Sequence, residues 1–171
     1  MVNIAMSLDL TALHAALDQL CDPEIPVVSL REMGILRDVH VSDAGVEVVI
    51  TPTYSGCPAM EHIHDDIANT LQRLGVSGRV TTQLAPAWTT DWMSDIAKAK
   101  LKAYGIAPPH CLSPESHHTI RFAPRLQDEA IDCPHCGSAN TTITSAFGST
   151  ACKALCKCLS CQEPFDYFKP Y

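Results

Sequence analysis

The sequence predicts an α+β fold in which a small mixed β-sheet with packed helices, in the order α-β-β-α-β-α, precedes a compact cysteine-rich tail. Three observations support this prediction. Apolar residues recur at helical spacing in some segments and at every second position in shorter ones. A stretch rich in proline and serine follows the last of these segments. Beyond it the chain has two Cys-x-x-Cys pairs and no long apolar period, so this tail is too small to be stable by burial alone.

The first part of the chain contains the predicted helices and most of the strands. A turn with two prolines at 22–26 ends the first helix, and turn residues at 42–45 join two strands into a hairpin. Prolines exclude 51–58 from a central strand, so this segment is predicted to be a strand-to-helix loop. The predicted elements are a helix over 9–21, strands over 35–41 and 46–50, a helix from Pro58 to just before Gly75, a strand over 79–84, and a helix from 89 or 90 to 104. In this last helix, Trp92, Ile96 and Leu101 are predicted to be buried.

The composition of the chain changes after the last predicted helix. Pro108, Pro109 and Pro114 lie in a segment without periodicity, which is typical of a linker. We therefore predict an α+β domain over 1–107, a linker over 108–120 and a metal-stabilised unit over 121–171.

Charge and composition argue against some classes of partner. The formal net charge is −7 at pH 7, which opposes general binding to phosphate backbones or anionic lipids. Lys98, Lys100 and Lys102 do gather positive charge, but their spacing is more simply that of a solvated helix face. With 46% hydrophobic and 18% charged residues, the chain is expected to form a packed core.

The cellular compartment determines how the nine cysteines are interpreted. The chain begins without a signal-peptide pattern and has no apolar run long enough to cross a bilayer, so we expect a cytoplasmic protein. In that reducing compartment clustered cysteines are better interpreted as metal ligands or reactive thiols than as disulfides.

The two Cys-x-x-Cys pairs predict a metal site formed by Cys133, Cys136, Cys158 and Cys161. Two intervening residues allow both thiolates of a pair to reach one ion at about 2.3 Å. The pairs are separated by 21 residues, about one more than the usual 15 to 20, which is enough for a hairpin beginning at 141. Closed tetrahedral thiolate sites favour zinc and leave no open coordination position, so the expected role is structural.

Alternatives to this site remain open at the level of sequence. An iron-sulfur or rubredoxin-like iron site, or unrelated thiols, would also use such pairs. His135 lies between two predicted ligands and is best interpreted as an exposed residue. Cys156 offers an alternative ligand, although we favour non-ligand roles for both Cys156 and Cys152.

Cys57 is the second candidate functional residue. It lies at or beside the N-cap of a predicted helix, where unpaired N-H groups can stabilise a thiolate and raise its reactivity or metal affinity. The simpler interpretation is a small buried apolar residue. His62 and His64 follow on the same helix but point to different faces, so they do not require a Cys-His catalytic pair.

Several motifs resemble those of a known family. The segments 22–26, 33–35 and 51–58 resemble the iron-sulfur cluster assembly domain shared by SufT-like bacterial proteins and the eukaryotic cytosolic iron-sulfur targeting factors. Together with the two cysteine pairs, further motifs resemble the D-subunit family of the phenylacetyl-CoA epoxidase system, a multicomponent ring-1,2-monooxygenase of aerobic phenylacetate breakdown. These motifs lie at 86–92, 105–109, 148–153 and 164–169.

This resemblance implies a non-catalytic accessory or maturation role. Such a protein would help to place iron or an iron-sulfur cluster in the oxygenase or its reductase, and its partners would be components of that complex or a second copy in a homodimer. The resemblance assigns the functional loop to Cys57, Asp22, Glu24 and Thr51, with transient iron or a cluster at Cys57. It assigns structural zinc to the two cysteine pairs, and Cys156 departs from the apolar residue expected there.

Three other functions remain as rivals. A structural scaffold would hold the oxygenase subunits together with an inert Cys57. An enzyme would use Cys57 as a nucleophile, but no base or oxyanion site is identified for it. A nucleic-acid-binding zinc ribbon is disfavoured by the acidic balance of the chain.

Overall fold

The structure is a computed structural model that describes residues 9–109 and 131–171, so the predicted linker lies outside it from residue 110 onward. Within these ranges no helix has the length and apolarity needed to cross a membrane. The helices and strands are α1 (Leu10–Asp18), β1 (Leu36–Ser42), β2 (Gly45–Ile50), α2 (Ala59–Arg73), β3 (Gly78–Thr82), α3 (Asp95–Tyr104), β4 (Ile106–Ala107), β5 (Thr141–Ser145), β6 (Lys153–Cys158) and β7 (Pro164–Phe168). This arrangement confirms the predicted α+β class.

The first sheet is small and mixed, as predicted. Its strand order is β1-β2-β3, with β1 antiparallel and β3 parallel to the central strand β2. The parallel pair requires a crossover connection, and α2 provides it. Val46, Val48 and Ile50 alternate along β2 and are all buried, so the period-two pattern identified the inward face of this strand correctly.

A side-chain signal marks the start of α1, and a glycine signal marks the end of α2. Asp9 caps α1, because its carboxylate accepts hydrogen bonds from the Thr11 and Ala12 amides at 3.0 and 3.1 Å. Gly75 follows α2 with a φ of +67°. Helix α1 is shorter than the predicted 9–21, because the next residues turn back and pair with the segment after the acidic turn: the Leu30 amide donates to the Leu20 carbonyl at 2.8 Å.

The predicted helix from 89 or 90 to 104 is wrong in its first part. A 3-10 turn over Thr90–Trp92 is followed by an extended Met93, and α3 then begins after Ser94. The Ser94 hydroxyl caps it by accepting from the Ala97 amide at 3.0 Å.

This later start changes the inward face of α3. Ala97 and Leu101 are fully buried, whereas Ile96, which was predicted to be buried, is 61% exposed. Leu101 is buried as predicted, and Trp92 is half-buried.

The second sheet has the strand order β4-β7-β6-β5. Strands β5, β6 and β7 are antiparallel neighbours, which confirms the hairpin predicted from residue 141. The short strand β4 was not predicted, because two residues between Gly105 and Pro108 are too few to show a period. It pairs in parallel with β7 and so joins the first part of the chain to the cysteine-rich part, residues 131–171, which we call the ribbon.

The ribbon packs directly on the α+β domain along a seam formed by Trp88, Cys152, Phe168 and Tyr171. The buried Trp88 ring lies 6.0 Å from the Phe168 ring and 6.2 Å from the Tyr171 ring, measured between centroids. Its indole Nε1 donates to the Met33 carbonyl at 3.1 Å. Cys152 and Phe168 belong to the same apolar core as the buried residues of α1 and α2. The two parts of the chain are therefore one packed body at this seam.

Candidate functional site

Four thiols meet at one end of the ribbon. The sulfur atoms of Cys133, Cys136, Cys158 and Cys161 all lie within 4.8 Å of one another. The Cys133 and Cys161 sulfurs are 3.8 Å apart, and those of Cys136 and Cys158 are 3.6 Å apart. Four sulfurs bound to one ion at about 2.3 Å form a tetrahedron with edges of about 3.8 Å. The group therefore fits one tetrahedral ion, whereas a cluster with ligands on several iron atoms would hold its cysteines farther apart.

The backbone of each cysteine pair folds tightly around this position. Gly137 adopts a φ of +74°, and its amide donates to the Cys133 carbonyl at 2.9 Å. The Cys158 sulfur accepts from the Cys161 amide at 3.4 Å. Cys158 is the last residue of β6 and lies opposite Thr141 on β5, so the hairpin brings the second pair back to the first.

The other residues considered as ligands lie elsewhere. Cys156 is buried in the apolar core of the ribbon, opposite Phe165 on β7. Burial raises the pKa of its thiol to about 11. His135 is exposed, and a side chain added at Gly105 would approach its ring to 3.3 Å. In the described part of the chain, the four predicted cysteines form the group able to hold a metal ion.

Cys57 lies in the loop between β2 and α2. Pro58 is the N-cap of α2, so Cys57 lies beside the N-cap as predicted, and its side chain is half-buried. Its amide donates to the Tyr54 carbonyl at 3.2 Å, which closes a tight turn. Thr51 anchors the start of the loop: it is 2% exposed, and its amide donates to the Ile35 carbonyl at 2.9 Å.

The acidic turn after α1 lies near this loop. Asp22 is only 8% exposed, and its Oδ1 accepts from the Glu24 and Ile25 amides at 2.8 and 3.0 Å. Glu24 is half-buried. Burial raises the pKa of the Cys57 thiol, and the charges of both carboxylates add to that rise. The fold thus brings the predicted Asp22, Glu24 and Cys57 into one neighbourhood.

The electrostatics of this neighbourhood favour neutral groups. Burial is the main cause that raises the pKa of Cys57, and the Ala59 amide opposes it. The stabilisation of a thiolate that the helix N-terminus suggested is therefore outweighed, and Cys57 rests as a thiol. Burial also raises the pKa of Asp22, against the Glu24 and Ile25 amides and the positive charge of Lys153.

The two histidines of α2 do not pair with Cys57. His62 lies 3.6 Å from Asp66, and His64 lies 3.7 Å from Asp65, and both imidazoles are exposed. Within residues 9–109 and 131–171, no histidine hydrogen-bonds to the Cys57 thiol. The Cys-His pair that a nucleophilic enzyme would need is not formed by these residues.

Three further residues belong to this site that sequence reasoning did not place there. The ribbon brings Cys152, Lys153 and Ala151 to the Cys57 loop. Burial raises the pKa of the Cys57 thiol, and the charge of Cys152 adds to that rise. Burial also raises the pKa of the Tyr54 phenol, against a hydrogen bond with the Ala151 backbone. No local pattern could have revealed this proximity, because it depends on how the ribbon docks.

The raised pKa of Asp22 leads to a prediction about stability. The folded protein binds the proton of the Asp22 carboxyl group more tightly than the unfolded chain does. The stability that this protonation contributes is therefore fully present at low pH and is lost as the pH rises through the folded pKa. Asp22→Asn removes the charge and keeps an oxygen for the Glu24 and Ile25 amides. We expect this variant to be at least as stable as the parent at pH 7, and the gain to disappear as the pH falls toward 3.8.

Thermal unfolding of parent and variant at several pH values measures this difference. Asp43→Asn, in an exposed turn, is the matched control and should not change the midpoint. A clear loss of stability in Asp22→Asn at pH 7 would show that the Asp22 charge is needed for folding.

Comparison with known protein families gives two matches, each to a different part of the chain. Residues 10–82 match the family described as iron-sulfur cluster assembly protein, and residues 121–169 match the PaaD zinc beta ribbon domain. The chain is 47% identical over 156 residues to the D-subunit of 1,2-phenylacetyl-CoA epoxidase from Escherichia coli K12, covering 91% of this chain and 89% of the relative.

Two other relatives match the first part of the chain. An Fe-S protein maturation auxiliary factor from Porphyromonas gingivalis is 35% identical, covering 47% of this chain and 78% of the relative. A solved domain of unknown function from Bacillus anthracis is 28% identical, with a TM-score of 0.49, covering 53% of this chain and 89% of that structure.

The fold and the four-thiol site thus define an iron-sulfur cluster assembly domain joined to a zinc ribbon. With the identity and coverage given above, the chain belongs to the D-subunit family of phenylacetyl-CoA epoxidase. This confirms the resemblance drawn from the sequence motifs.

Proposed function

We propose that this protein is a non-catalytic accessory component of the phenylacetyl-CoA epoxidase system that assists delivery of iron or an iron-sulfur cluster to the oxygenase or its reductase. Its relatives support the proposal, since one is named as a subunit of that epoxidase and another as an Fe-S protein maturation factor. In this proposal the subunits of the oxygenase and reductase are the partners, and the protein acts in the cytoplasm.

The observation that carries the proposal is the setting of Cys57. Its half-buried thiol is close enough to Asp22 and Glu24 for the charges of both carboxylates to act on it, in a domain of the iron-sulfur assembly family. Buried ionisable groups are costly and are concentrated at functional sites. Thiolates bind iron, and a carboxylate is a suitable second ligand. Cys57 is therefore the side chain proposed to hold iron or a cluster transiently.

The ribbon has a different proposed role. We assign zinc to the four-thiol group, because closed tetrahedral thiolate sites favour this ion and its sulfur spacing fits. A zinc ion in that position has no free coordination position, so it stabilises the fold. The ribbon then offers a rigid docking surface to a client protein.

Cys57→Ser is the test of the delivery role. Serine has nearly the same volume but a hard hydroxyl ligand, so the variant should fold within about 1 kcal/mol of the parent. We expect epoxidase activity to fall by roughly tenfold or more, since changing even an outer-shell partner of a metal ligand costs about 10–100-fold. The measurement is phenylacetyl-CoA turnover in cells that produce the whole system with either form of this protein.

Cys21→Ser is the matched control, because Cys21 is exposed and lies just before the acidic turn. It should support full activity. If Cys57→Ser matures the epoxidase as well as the parent does, the loop thiol has no role in delivery.

A scaffold role is the second candidate, and the seam favours it. Trp88, Phe168 and the β4–β7 pair fix the ribbon against the first domain, as expected for a rigid spacer between subunits. A scaffold would copurify with its client in a fixed ratio at all stages, independently of the Cys57 side chain. A carrier would associate only during maturation, and its effect would depend on Cys57.

A further inference from the structure

We propose that the first domain binds its client protein through an exposed apolar segment, residues 84–87, and the acidic face of α2 at the same end of the sheet. The partner that fits is a positively charged protein surface with an apolar side chain at its centre. This inference rests on the proposed function, because a delivery protein must contact its client near Cys57. The surface lies on the first domain and not on the ribbon.

The apolar segment directly follows Gln83 and has the sequence Leu84-Ala85-Pro86-Ala87. All four residues are exposed, and Leu84 is 59% exposed. Single exposed apolar side chains are common on protein surfaces and need no explanation. A run of four in succession is unfavourable in water unless it serves a function, and it is typical of an interaction site.

The segment is held at both ends. The Gln83 amide donates to the Ile50 carbonyl at 2.8 Å, and the Gln83 side-chain amide donates to the Ala85 carbonyl at 2.6 Å. At the other end, Trp88 is buried in the seam. A surface that is ordered before binding loses little conformational entropy when a partner binds. The fold therefore presents these apolar residues in advance.

The segment begins at the end of the sheet where the Cys57 loop also begins. Strands β2 and β3 are parallel, with Ile50 opposite Thr82, so their carboxyl ends lie side by side. Strand β2 leads from Ile50 into residues 51–57, and β3 leads through Gln83 into residues 84–87. A client bound to this segment is therefore at the same end of the sheet as the loop whose thiol is proposed to hold iron.

The first turns of α2 lie at this end of the sheet. Because α2 connects two parallel strands, it runs antiparallel to them. Its last turns pack on the start of β3, since a side chain added at Gly78 would meet the Leu71 Cδ1 atom at 2.9 Å. The ten residues from Leu71 back to Glu61 span about 15 Å of helix, and the five from Gly78 to Gln83 span about 17 Å of strand. Glu61 is therefore roughly level with the start of the apolar segment.

The charge at this end of α2 is negative when histidine is counted as neutral. Glu61, Asp65 and Asp66 all have exposed carboxylates. The basic residue of α2, Arg73, is in its last turn, at the far end of the helix. Arg37 lies at the same end of the sheet as the apolar segment, but on β1, which β2 separates from β3. The surface around residues 84–87 is therefore complementary to a positively charged partner.

The test measures binding of the full chain, with its ribbon metal in place, to the purified oxygenase and to the purified reductase of the epoxidase system. The parent should bind one of them, and the affinity should fall as salt is added. Leu84→Asp should weaken this binding by about tenfold or more, the scale of a central apolar anchor. Val41→Asp is the matched control and should bind as the parent does, because Val41 is 48% exposed at the opposite end of the same sheet.

A charge reversal tests the acidic face separately. Asp65→Lys should weaken binding by roughly threefold and reduce its salt dependence. Asp43→Lys changes the net charge by the same amount in an exposed turn at the opposite end of the sheet, and it should leave both unchanged. All four side chains are at least half exposed or lie in exposed positions, so the thermal unfolding midpoints of the variants should match that of the parent.

The outcomes separate this inference from the proposed function. If Leu84→Asp binds both components as the parent does, the surface is wrong, and the delivery role stands provided that Cys57→Ser still fails to mature the epoxidase. If sedimentation shows that Leu84→Asp turns a dimer of the free protein into a monomer, a second copy covers the segment and the inference is wrong. If the parent binds neither component, both the surface and the assignment of partners fail.

Discussion

Cys158→Ser is expected to release the ribbon metal and to unfold the ribbon. Binding of structural zinc to four thiolates contributes about 10–16 kcal/mol of apparent free energy, and the ribbon core is too small to replace it. Loss of one thiolate also leaves the other three without a closed tetrahedron. Metal content and circular dichroism of the purified variant measure both effects.

Cys156→Ala is the matched control, two residues earlier on the same strand. Cys156 is buried outside the four-thiol group, so its loss should cost about 1 kcal/mol and leave the metal in place. If Cys158→Ser keeps both a full equivalent of metal and an ordered ribbon, the four-thiol assignment is wrong. If Cys156→Ala loses the metal, a different set of cysteines holds it.

Trp88→Ala is expected to lower the free energy of unfolding by about 3–5 kcal/mol, the usual cost of removing a buried aromatic side chain. Trp88 is 4% exposed and contacts Phe168 and Tyr171 across the seam, so both parts of the chain lose packing. The Met33 carbonyl also loses its hydrogen bond from the indole. Chemical denaturation followed by far-ultraviolet circular dichroism checks the size of the loss.

Two further variants show whether the loss of stability comes from the packing of Trp88 at the seam or from removal of any aromatic ring. Trp88→Phe keeps much of the apolar surface and should cost less than Trp88→Ala. Phe147→Ala removes a 64% exposed ring whose contact is with the Lys169 ammonium, at 4.5 Å, and should cost under about 1 kcal/mol. An unchanged midpoint in Trp88→Ala would mean that the seam does not stabilise the fold.

The elements that local sequence determines were predicted well. Pro58 and Gly75 mark the ends of α2, and alternating valines identify the inward face of β2. The third helix was extended too far toward its N-terminus, because Ser94 competes with the earlier threonines as a cap and only the packed structure selects it. Strand β4 was missed because its partner β7 lies in another part of the chain.

The candidate sites show the same difference between features that local sequence determines and features that depend on how the two parts of the chain pack. The four-thiol group was predictable, since each Cys-x-x-Cys pair lies within four residues and one hairpin brings the pairs together. The position of Cys57 as a loop thiol beside an α2 N-cap was also visible. Its proximity to Cys152 and Lys153 was not, because no sequence period relates the ribbon to the first domain. The sign of the Cys57 pKa shift depends on that same burial.

Iron content of the epoxidase components is the most direct test of the delivery role. The oxygenase and the reductase are purified from cells producing the parent, Cys57→Ser or Cys21→Ser, and iron per protein is measured for each component. We expect at least one component to be iron-poor with Cys57→Ser and fully loaded with the other two forms. Full iron loading of both components with Cys57→Ser would contradict the proposal that this thiol carries iron to a client.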